Sequence, residues 1–145
     1  MKKIAFVCLG NICRSPMAEF VMKQALPGVE AVSRATSRYE IGNPIYPGTQ
    51  KIFQRYAIPY DARKTAQQIA PEDFETYDFI VGMDAHNVAD LKEMAPEGLG
   101  HKVYPFAAEP VPDPWYTGDF EETYARVSAG CQEWKKRLQE EETYE

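Results

Sequence analysis

The chain has 145 residues, a length that fits one domain, and we expect residues 1–145 to fold as one unit. Its formal net charge of −6 and isoelectric point near 5.0 disfavour a nucleic-acid-binding protein. No apolar run approaches the roughly 20 residues that a membrane span needs, so we expect no span. Cys8, Cys13 and Cys131 are an odd number of cysteines without a secretory signal, which predicts reduced thiols and a cytoplasmic location.

Hydrophobic patterning predicts strands that alternate with helices along the chain. In order, we expect a strand at 3–8, a helix at 15–26, a strand at 30–37, a helix carrying Ile52, Phe53 and Tyr56, a helical turn from Pro71 to Phe74, a strand at 79–83, a helix capped by Asp84, a strand at 102–106 and a final helix. Such alternation favours a parallel sheet with right-handed crossovers. The predicted fold is α/β, a single three-layer domain with a four-stranded parallel sheet flanked by helices on both faces.

The final helix has the clearest pattern. Six of its residues recur at alternating spacings of four and three, which places them on one face: Phe120, Tyr124, Val127, Cys131, Trp134 and Leu138. Asp119 and Glu122 resemble a capping box at its start. We therefore expect Cys131 to belong to the core.

Residues 8–16 read Cys-Leu-Gly-Asn-Ile-Cys-Arg-Ser-Pro and directly follow the first predicted strand. That strand delivers the Cys8 thiol to a tight loop, and we expect Ser15 and Pro16 to cap and open the next helix. Inward-pointing N–H groups in such a loop bind anions and favour a thiolate beneath them. Arg14 adds a planar fork that can hold two oxygens of one phosphate. The alternative is a small buried cysteine that ends a strand before an ordinary turn.

A second chemical candidate is the segment Pro112-Asp113-Pro114-Trp115-Tyr116, whose prolines predict that no regular element passes through it. A carboxylic acid held beside two aromatic side chains is a reasonable general acid, because apolar neighbours disfavour its charged form. The alternative is a proline-rich turn with Trp115 and Tyr116 tucked into the core. Cys8, Asp84 and the loop leading to Asp113 all follow strands, so one rim of a parallel sheet could collect them.

Together these segments resemble the low-molecular-weight protein tyrosine phosphatases. The resemblance covers nearly the whole chain and rests on residues 7–16, on Gly82-Met83-Asp84 at mid-chain, and on residues 113–116 before the final helix. The order is diagnostic, because in the larger tyrosine phosphatases the acid loop precedes the nucleophile. The resemblance implies a phosphate-binding loop after the first strand. It also implies an enzyme that hydrolyses phosphotyrosine in proteins or peptides, binds phosphate, vanadate or arsenate, and uses no cofactor.

The resemblance assigns roles to individual residues. Cys8 is expected to be the nucleophile that forms a cysteinyl-phosphate intermediate, and Asp113 the general acid and base. Phosphate is expected to bind the Arg14 side chain and the loop made by Leu9, Gly10, Asn11, Ile12, Cys13 and Arg14. The aromatic-substrate cleft is expected to be walled by Leu9, Ile12, Tyr39, Trp115 and Tyr116.

Four further residues are expected to support the loop. In the family, Ser15 donates a hydrogen bond to the thiolate, here that of Cys8. Asn11 is expected in a left-handed conformation, which asparagine tolerates, and the family match implies that Ser33 helps to hold it. The resemblance also implies that Cys13 can form a disulfide with oxidised Cys8, while a merely packed thiol is an equal alternative.

Other positions are assigned structural or modulating roles. Asp84 is expected to cap a helix, and no set of His, Cys, Asp and Glu residues shows metal-ligand spacing. Lys64-Thr65-Ala66-Gln67 stands where many family members carry His-x-Ala-Arg, so the supporting hydrogen bonds must differ there. Arg34 and Arg38 flank the predicted rim strand and could favour acidic phosphopeptides.

Three alternative functions share parts of this pattern. A protein arginine phosphatase on the same fold favours a small polar residue where Ile12 stands. An arsenate reductase needs further cysteines to pass the oxidation onward, and residues 14–130 contain none. A non-catalytic phosphate-binding module does not call for an acid such as Asp113 near a dianion.

Overall fold

Four short apolar segments form a parallel sheet in the computed structural model, which describes residues 1–144, with side chains up to residue 140. Its strands are β1 (Ile4–Cys8), β2 (Ala31–Ala35), β3 (Phe79–Gly82) and β4 (Val103–Pro105). They lie in the order β2-β1-β3-β4, and all neighbouring pairs are parallel. β1 is inside the sheet and buried on both faces, which explains its uninterrupted apolar sequence. The predicted four-stranded parallel sheet is confirmed.

Helices lie in the connections between the strands and after the last strand. In chain order they are α1 (Arg14–Ala25), α2 (Pro47–Arg55), α3 (Pro71–Thr76), α4 (Ala85–Met94), α5 (Pro114–Thr117) and α6 (Phe120–Tyr144), and a 3₁₀ turn at Gly100–Lys102 precedes β4. Within residues 1–144, no helix has both the length and the apolarity needed to cross a membrane.

Successive side chains of β1 point to opposite faces of the sheet and divide the core into two layers. Phe6 and Cys8 pack on one side with residues of α1, α2 and α6. Val7 packs on the other side with Phe74 of α3 and Leu91 of α4. The predicted three-layer arrangement in a single α/β domain is therefore confirmed.

The apolar face predicted for the final helix is confirmed in α6. Val127, Cys131 and Leu138 are fully buried, and α6 packs against α1. The Trp134 indole Nε1–H donates to the Phe106 carbonyl oxygen at 2.8 Å, which satisfies the polar atom of a buried aromatic side chain. Cys131 is accordingly a core residue.

Two expectations about local structure are wrong. Ser15 does not cap α1, because the helix begins at Arg14 and Cys13 occupies the cap position. The Ser15 hydroxyl lies against the Cys8 sulfur instead. The expectation for residues 112–116 is wrong in part: no element passes through the whole segment, but the short helix α5 begins within it at Pro114, whose fixed φ suits a first helical turn and whose missing N–H is not needed there.

Candidate active site

The Cys8 sulfur lies at the carboxyl end of β1 beneath the loop that leads to α1. Cys8 Sγ accepts hydrogen bonds from the backbone N–H groups of Asn11 at 3.3 Å and Ser15 at 3.4 Å. Ser15 Oγ lies 3.0 Å from the same sulfur, which is part of a residue only 3% exposed. Donors that converge on a buried sulfur stabilise negative charge there, so the loop has the geometry expected for a thiolate.

Asn11 ties this loop together and adopts the left-handed backbone predicted for it, with φ of 59°. Its amide Nδ2 donates to Ser15 Oγ at 2.8 Å. Its Oδ1 accepts from Gln67 N at 3.1 Å and from Lys64 Nζ at 3.3 Å. Asn11 is 1% exposed, so its orientation is set by these neighbours rather than by solvent.

The expectation that Ser33 holds Asn11 is wrong in its detail. Ser33 Oγ donates to Glu19 Oε1 at 2.7 Å, because a buried carboxylate is a stronger acceptor than an amide. The two residues are linked through Lys64, whose Nζ donates both to Asn11 Oδ1 and to the Ser33 carbonyl oxygen, each at 3.3 Å. The supporting hydrogen bonds in this chain thus come from residues 64–67, the segment that departs from the family pattern.

The Arg14 guanidinium is 3% exposed and held by groups from distant parts of the chain. Its Nη1 donates to Asp84 Oδ2 at 2.8 Å and to the Val111 carbonyl oxygen at 2.9 Å, and its Nη2 lies 3.4 Å from Asp113 Oδ2. Burial opposes the charge of Arg14, but Cys8, Asp84 and Asp113 outweigh burial and raise its pKa. The Arg14 guanidinium therefore stays a cation, and Asp84 holds one side of it.

Asp84 has one predicted partner and one that sequence reasoning missed. Its Oδ1 accepts from the Asn87 N–H at 2.8 Å, so the predicted cap of α4 is confirmed. Its Oδ2 accepts from Arg14. The two charges are 70 residues apart in the chain, and no local pattern signals that pairing.

Asp113 faces the same space from the start of α5. Its Oδ1 accepts from the Trp115 N–H at 3.1 Å and so caps the helix, while Oδ2 points towards Arg14. The side chain is 23% exposed and lines the cavity that also exposes Cys8. The structure thus brings together Cys8, Arg14 and Asp113.

A cavity of about 230 Å³ opens above the Cys8 sulfur. All five predicted cleft residues line it, and Glu40, which sequence reasoning missed, lines it as well. Tyr39, Trp115 and Tyr116 are 83%, 56% and 77% exposed, so the alternative in which Trp115 and Tyr116 are tucked into the core is wrong. The full lining comprises Cys8, Leu9, Gly10, Ile12, Cys13, Arg14, Tyr39, Glu40, Asp113, Trp115 and Tyr116.

Cys13 lies in the loop as a buried free thiol, and Cys8 is free as well. Burial, followed by the nearby charge of Cys8, raises the pKa of Cys13 to about 12. Cys13 is therefore neutral at physiological pH, and the disulfide with Cys8 stays a prediction.

The two arginines expected at the rim differ in availability. Arg34 Nε pairs with Asp73 Oδ2 at 3.2 Å, and its side chain is 13% exposed, so it does not reach out to a substrate. Arg38 is exposed beside Tyr39. Among residues 1–140, whose side chains the structure describes, no group of three or more His, Cys, Asp or Glu side chains could hold a metal ion.

Comparison with known proteins places this geometry in a family. A family model described as low molecular weight phosphotyrosine protein phosphatase matches residues 3–144. The low molecular weight protein-tyrosine-phosphatase PtpA of Staphylococcus epidermidis is 42% identical over 141 residues, covering 90% of each chain.

Solved structures agree with that match. SP-PTP, a low molecular weight protein tyrosine phosphatase from Streptococcus pyogenes, superposes with a TM-score of 0.93 at 56% identity, covering 95% of this chain and 93% of that one. Vibrio vulnificus Wzb in complex with benzylphosphonate gives 0.83 at 27% identity, covering 94% and 98%. This chain belongs to the low molecular weight phosphotyrosine protein phosphatase family and is an enzyme of that type.

Proposed function

We propose that this enzyme hydrolyses phosphotyrosine in proteins or peptides through a phosphorylated Cys8. The observation that carries the proposal is the Cys8 sulfur, which faces two N–H donors and a hydroxyl at the floor of a cavity that Asp113 also lines. Donors placed in this way stabilise negative charge on the sulfur, which suits it to act as a nucleophile and as a leaving group. An acid near a phosphate dianion has no use in a module that only binds.

In the first step, the Cys8 sulfur attacks phosphorus while the bond from phosphorus to the phenolic oxygen breaks. Asp113 gives its proton to that oxygen, so tyrosine leaves neutral. Arg14 holds two phosphoryl oxygens, and the loop amides stabilise the charge that develops on them. The 3.4 Å contact between Arg14 and Asp113 is long, so a phosphoryl oxygen can replace Asp113 there. The 2.8 Å bond to Asp84 keeps the Arg14 guanidinium in place.

In the second step, the Asp113 carboxylate takes a proton from a water molecule that attacks the phosphocysteine. The bond between phosphorus and sulfur breaks, and inorganic phosphate leaves while Cys8 returns to the thiolate. Asp113 ends the cycle protonated and ready for the next ester. No group beyond this chain, substrate and water is needed.

The walls of the cavity support an aromatic phosphoester as the substrate. Tyr39, Trp115 and Tyr116 offer flat faces at the rim, and buried Ile12 presents an apolar surface inside. Wzb, a relative of known structure, is described with benzylphosphonate, a phosphonate on an aromatic group. A cleft contact of about 3 kcal/mol gives roughly a hundredfold preference for phosphotyrosine over phosphoserine, which is shorter and buries less apolar surface.

The alternative substrates and reactions fit these walls less well. Phosphoarginine places a polar guanidinium against Ile12, where burial without a partner is costly. An arsenate reductase would need a further cysteine near Cys8 and Cys13, but Cys131 is fully buried in the core, with its sulfur directed to the Ala18 carbonyl oxygen. The three thiols are all free, which supports a cytoplasmic location as part of the proposal.

Turnover tests the proposal directly. We expect hydrolysis of p-nitrophenyl phosphate, inhibition by vanadate, and a phosphocysteine at Cys8 that can be trapped by acid quenching. Cys8→Ser should still bind vanadate and lose turnover, and appreciable activity in that variant would exclude the covalent route. On matched peptides, kcat/KM should be highest for phosphotyrosine, lower for phosphoarginine and lowest for phosphoserine. Ile12→Thr should reduce the ratio of kcat/KM for phosphotyrosine to kcat/KM for phosphoarginine. A preference of the unmodified enzyme for phosphoarginine would overturn the tyrosine assignment alone.

A further inference from the structure

A largely buried lysine contacts the loop that holds Cys8. The Lys64 side chain is 12% exposed, and its Nζ donates to Asn11 Oδ1 and to the Ser33 carbonyl oxygen, each at 3.3 Å. We propose that Lys64 is a positioning residue that orients the Asn11 amide, so that the Ser15 hydroxyl donates to Cys8. The inference rests on the proposed role of Cys8 as nucleophile.

The ammonium of Lys64 is itself held in place by a carboxylate. Glu19 of α1 is 5% exposed, and its Oε1 lies 3.8 Å from Lys64 Nζ while accepting from Ser33 Oγ at 2.7 Å. Its Oε2 accepts from Lys23 Nζ at 2.7 Å. Burial lowers the pKa of Lys64, and Glu19 opposes that shift. Desolvation of the Lys64 ammonium costs free energy, and two partners offset that cost: the Glu19 carboxylate on one side and Asn11 Oδ1 on the other.

Lys64 and the backbone of Gln67 together decide which way the Asn11 amide faces. Asn11 Oδ1 meets two donors, Lys64 Nζ and the Gln67 N–H at 3.1 Å. The opposite orientation would set the amide N–H₂ against both donors, which would leave the Gln67 N–H unpaired and place Lys64 Nζ against another donor. With Oδ1 fixed on this side, Nδ2 must face Ser15 Oγ, where it donates at 2.8 Å.

The orientation of Asn11 then directs the Ser15 hydrogen. Because Ser15 Oγ accepts from Asn11, its own hydrogen is free to donate, and Cys8 Sγ is 3.0 Å away. The competing acceptor, the Arg34 carbonyl oxygen, is at 3.3 Å. A thiolate is the stronger acceptor of the two, so the hydroxyl hydrogen goes to sulfur. Lys64 acts on the nucleophile through Asn11 and Ser15 without touching it.

The experiment removes the ammonium while keeping the length of the side chain. We expect Lys64→Met to lower kcat for p-nitrophenyl phosphate about tenfold, the effect of weakening one hydrogen bond to a charged group. The alkylation of Cys8 by iodoacetamide should shift to higher pH, a change that a merely structural role would not cause. Lys64→Arg keeps charge and donors and should retain most of the activity. Lys92→Met removes an exposed lysine of α4 and should change neither measurement.

A double-mutant cycle tests whether Lys64 acts through Ser15. In a Ser15→Ala background, Lys64→Met should cost less than twofold, because the hydroxyl that it directs is gone. A full tenfold loss in that background, or an unchanged alkylation profile in Lys64→Met, would overturn the inference.

Whether Lys64→Met folds is a separate question, and the contacts around Glu19 favour folding. Glu19 keeps Lys23 and Ser33 as partners, so Lys64→Met should fold. If it does not, Lys64→Gln is judged by the same two measurements. Failure of the positioning role leaves Cys8→Ser inactive, so it is distinguishable from failure of the proposed function.

Discussion

Asp113 combines a structural contact with its proposed chemistry. Its Oδ1 caps α5 through the Trp115 N–H, and Oδ2 faces Arg14. Asp113→Asn keeps a capping oxygen but has no proton to give, so we expect it to fold normally. It should slow phenyl phosphate, which has a poor leaving group, about 100-fold or more, and p-nitrophenyl phosphate less. The dependence of kcat on the leaving group across a series of aryl phosphates measures this, and uniform slowing would contradict the acid role.

Cys13 determines how the site should respond to oxidation. Burial and the nearby Cys8 raise the pKa of Cys13 to about 12, so Cys8 is the thiol that reacts first. We expect mild peroxide to convert Cys8 to a sulfenic acid, which condenses with the Cys13 thiol to a disulfide and releases water. Added thiol should restore activity in the unmodified enzyme but only in part in Cys13→Ser, because there further peroxide oxidises the unprotected Cys8 sulfenic acid to sulfinic acid, which thiol does not reduce. Peptide mapping that finds Cys8 as sulfonic acid with Cys13 untouched would contradict this protection.

Site contacts that the sequence predicts and those that it misses differ in how far apart the two residues lie in the chain. Cys8 and Ser15 lie close together in the chain, within the motif that carries the family resemblance, and that resemblance implies their contact. Lys64 meets Asn11 across 53 residues and Asp84 meets Arg14 across 70, and only the tertiary fold creates those contacts. The only sequence feature that pointed to Lys64 is the difference between residues 64–67 and the His-x-Ala-Arg stretch of many family members.

The turn that follows helix α2 contains a residue in an unfavourable backbone conformation. Ala57 follows the helix with φ of 53°, and the Ile58 N–H donates back to the Phe53 carbonyl oxygen at 2.8 Å to close the turn. This position favours glycine, which has no Cβ to clash. We expect Ala57→Gly to raise the free energy of unfolding by about 0.5–1 kcal/mol in urea denaturation, after the greater flexibility of glycine in the unfolded chain is subtracted.

A glycine inside a regular helix is the matched control for that variant. Ala125 is exposed within α6, and Ala125→Gly should lower the free energy of unfolding by about 1 kcal/mol. Effects of the same sign in both variants would show that the left-handed conformation of Ala57 carries no cost.

The elements themselves were predictable where the pattern is local. The apolar face of α6 and the buried run of β1 follow directly from periodicity and composition. The start of α1 was not predictable, because the Cys8 sulfur competes for the Ser15 hydroxyl that would otherwise cap the helix. β2, predicted at 30–37, forms at Ala31–Ala35, where its residues pair with β1.

At the scale of the whole molecule, the order of the strands assembles the site. β1 and β3 are adjacent and parallel, so the ends at Cys8 and Gly82 lie on one edge of the sheet. Alternation of strands and helices predicts that edge, since parallel strands all end there. It does not predict which strands are neighbours, and that neighbourhood is what sets Asp84 beside Arg14.

Two buried thiols link the stability of the molecule to pH. Burial, followed by Cys8, raises the pKa of Cys13 from 9.0 to about 12, and burial raises the pKa of Cys131 above its usual value. The unfolded chain ionises both thiols above about pH 9, while the folded chain keeps them neutral. Their stabilising contribution is therefore complete below pH 9 and is lost as the pH rises. The loss is at most about 1.4 kcal/mol per pH unit for each thiol.

The variant Cys131→Ala isolates one of these thiols. At pH 8 we expect it to be about 1–2 kcal/mol less stable than the parent, because Cys131 is fully buried and alanine leaves a small cavity. Above pH 9 the gap should narrow by about 1.4 kcal/mol per pH unit, since alanine does not ionise and every other titrating group is common to both proteins. Urea denaturation at pH 8, 9, 10 and 10.5 measures the gap. A gap that stays constant over this range would show that Cys131 ionises as readily in the folded chain as in the unfolded one.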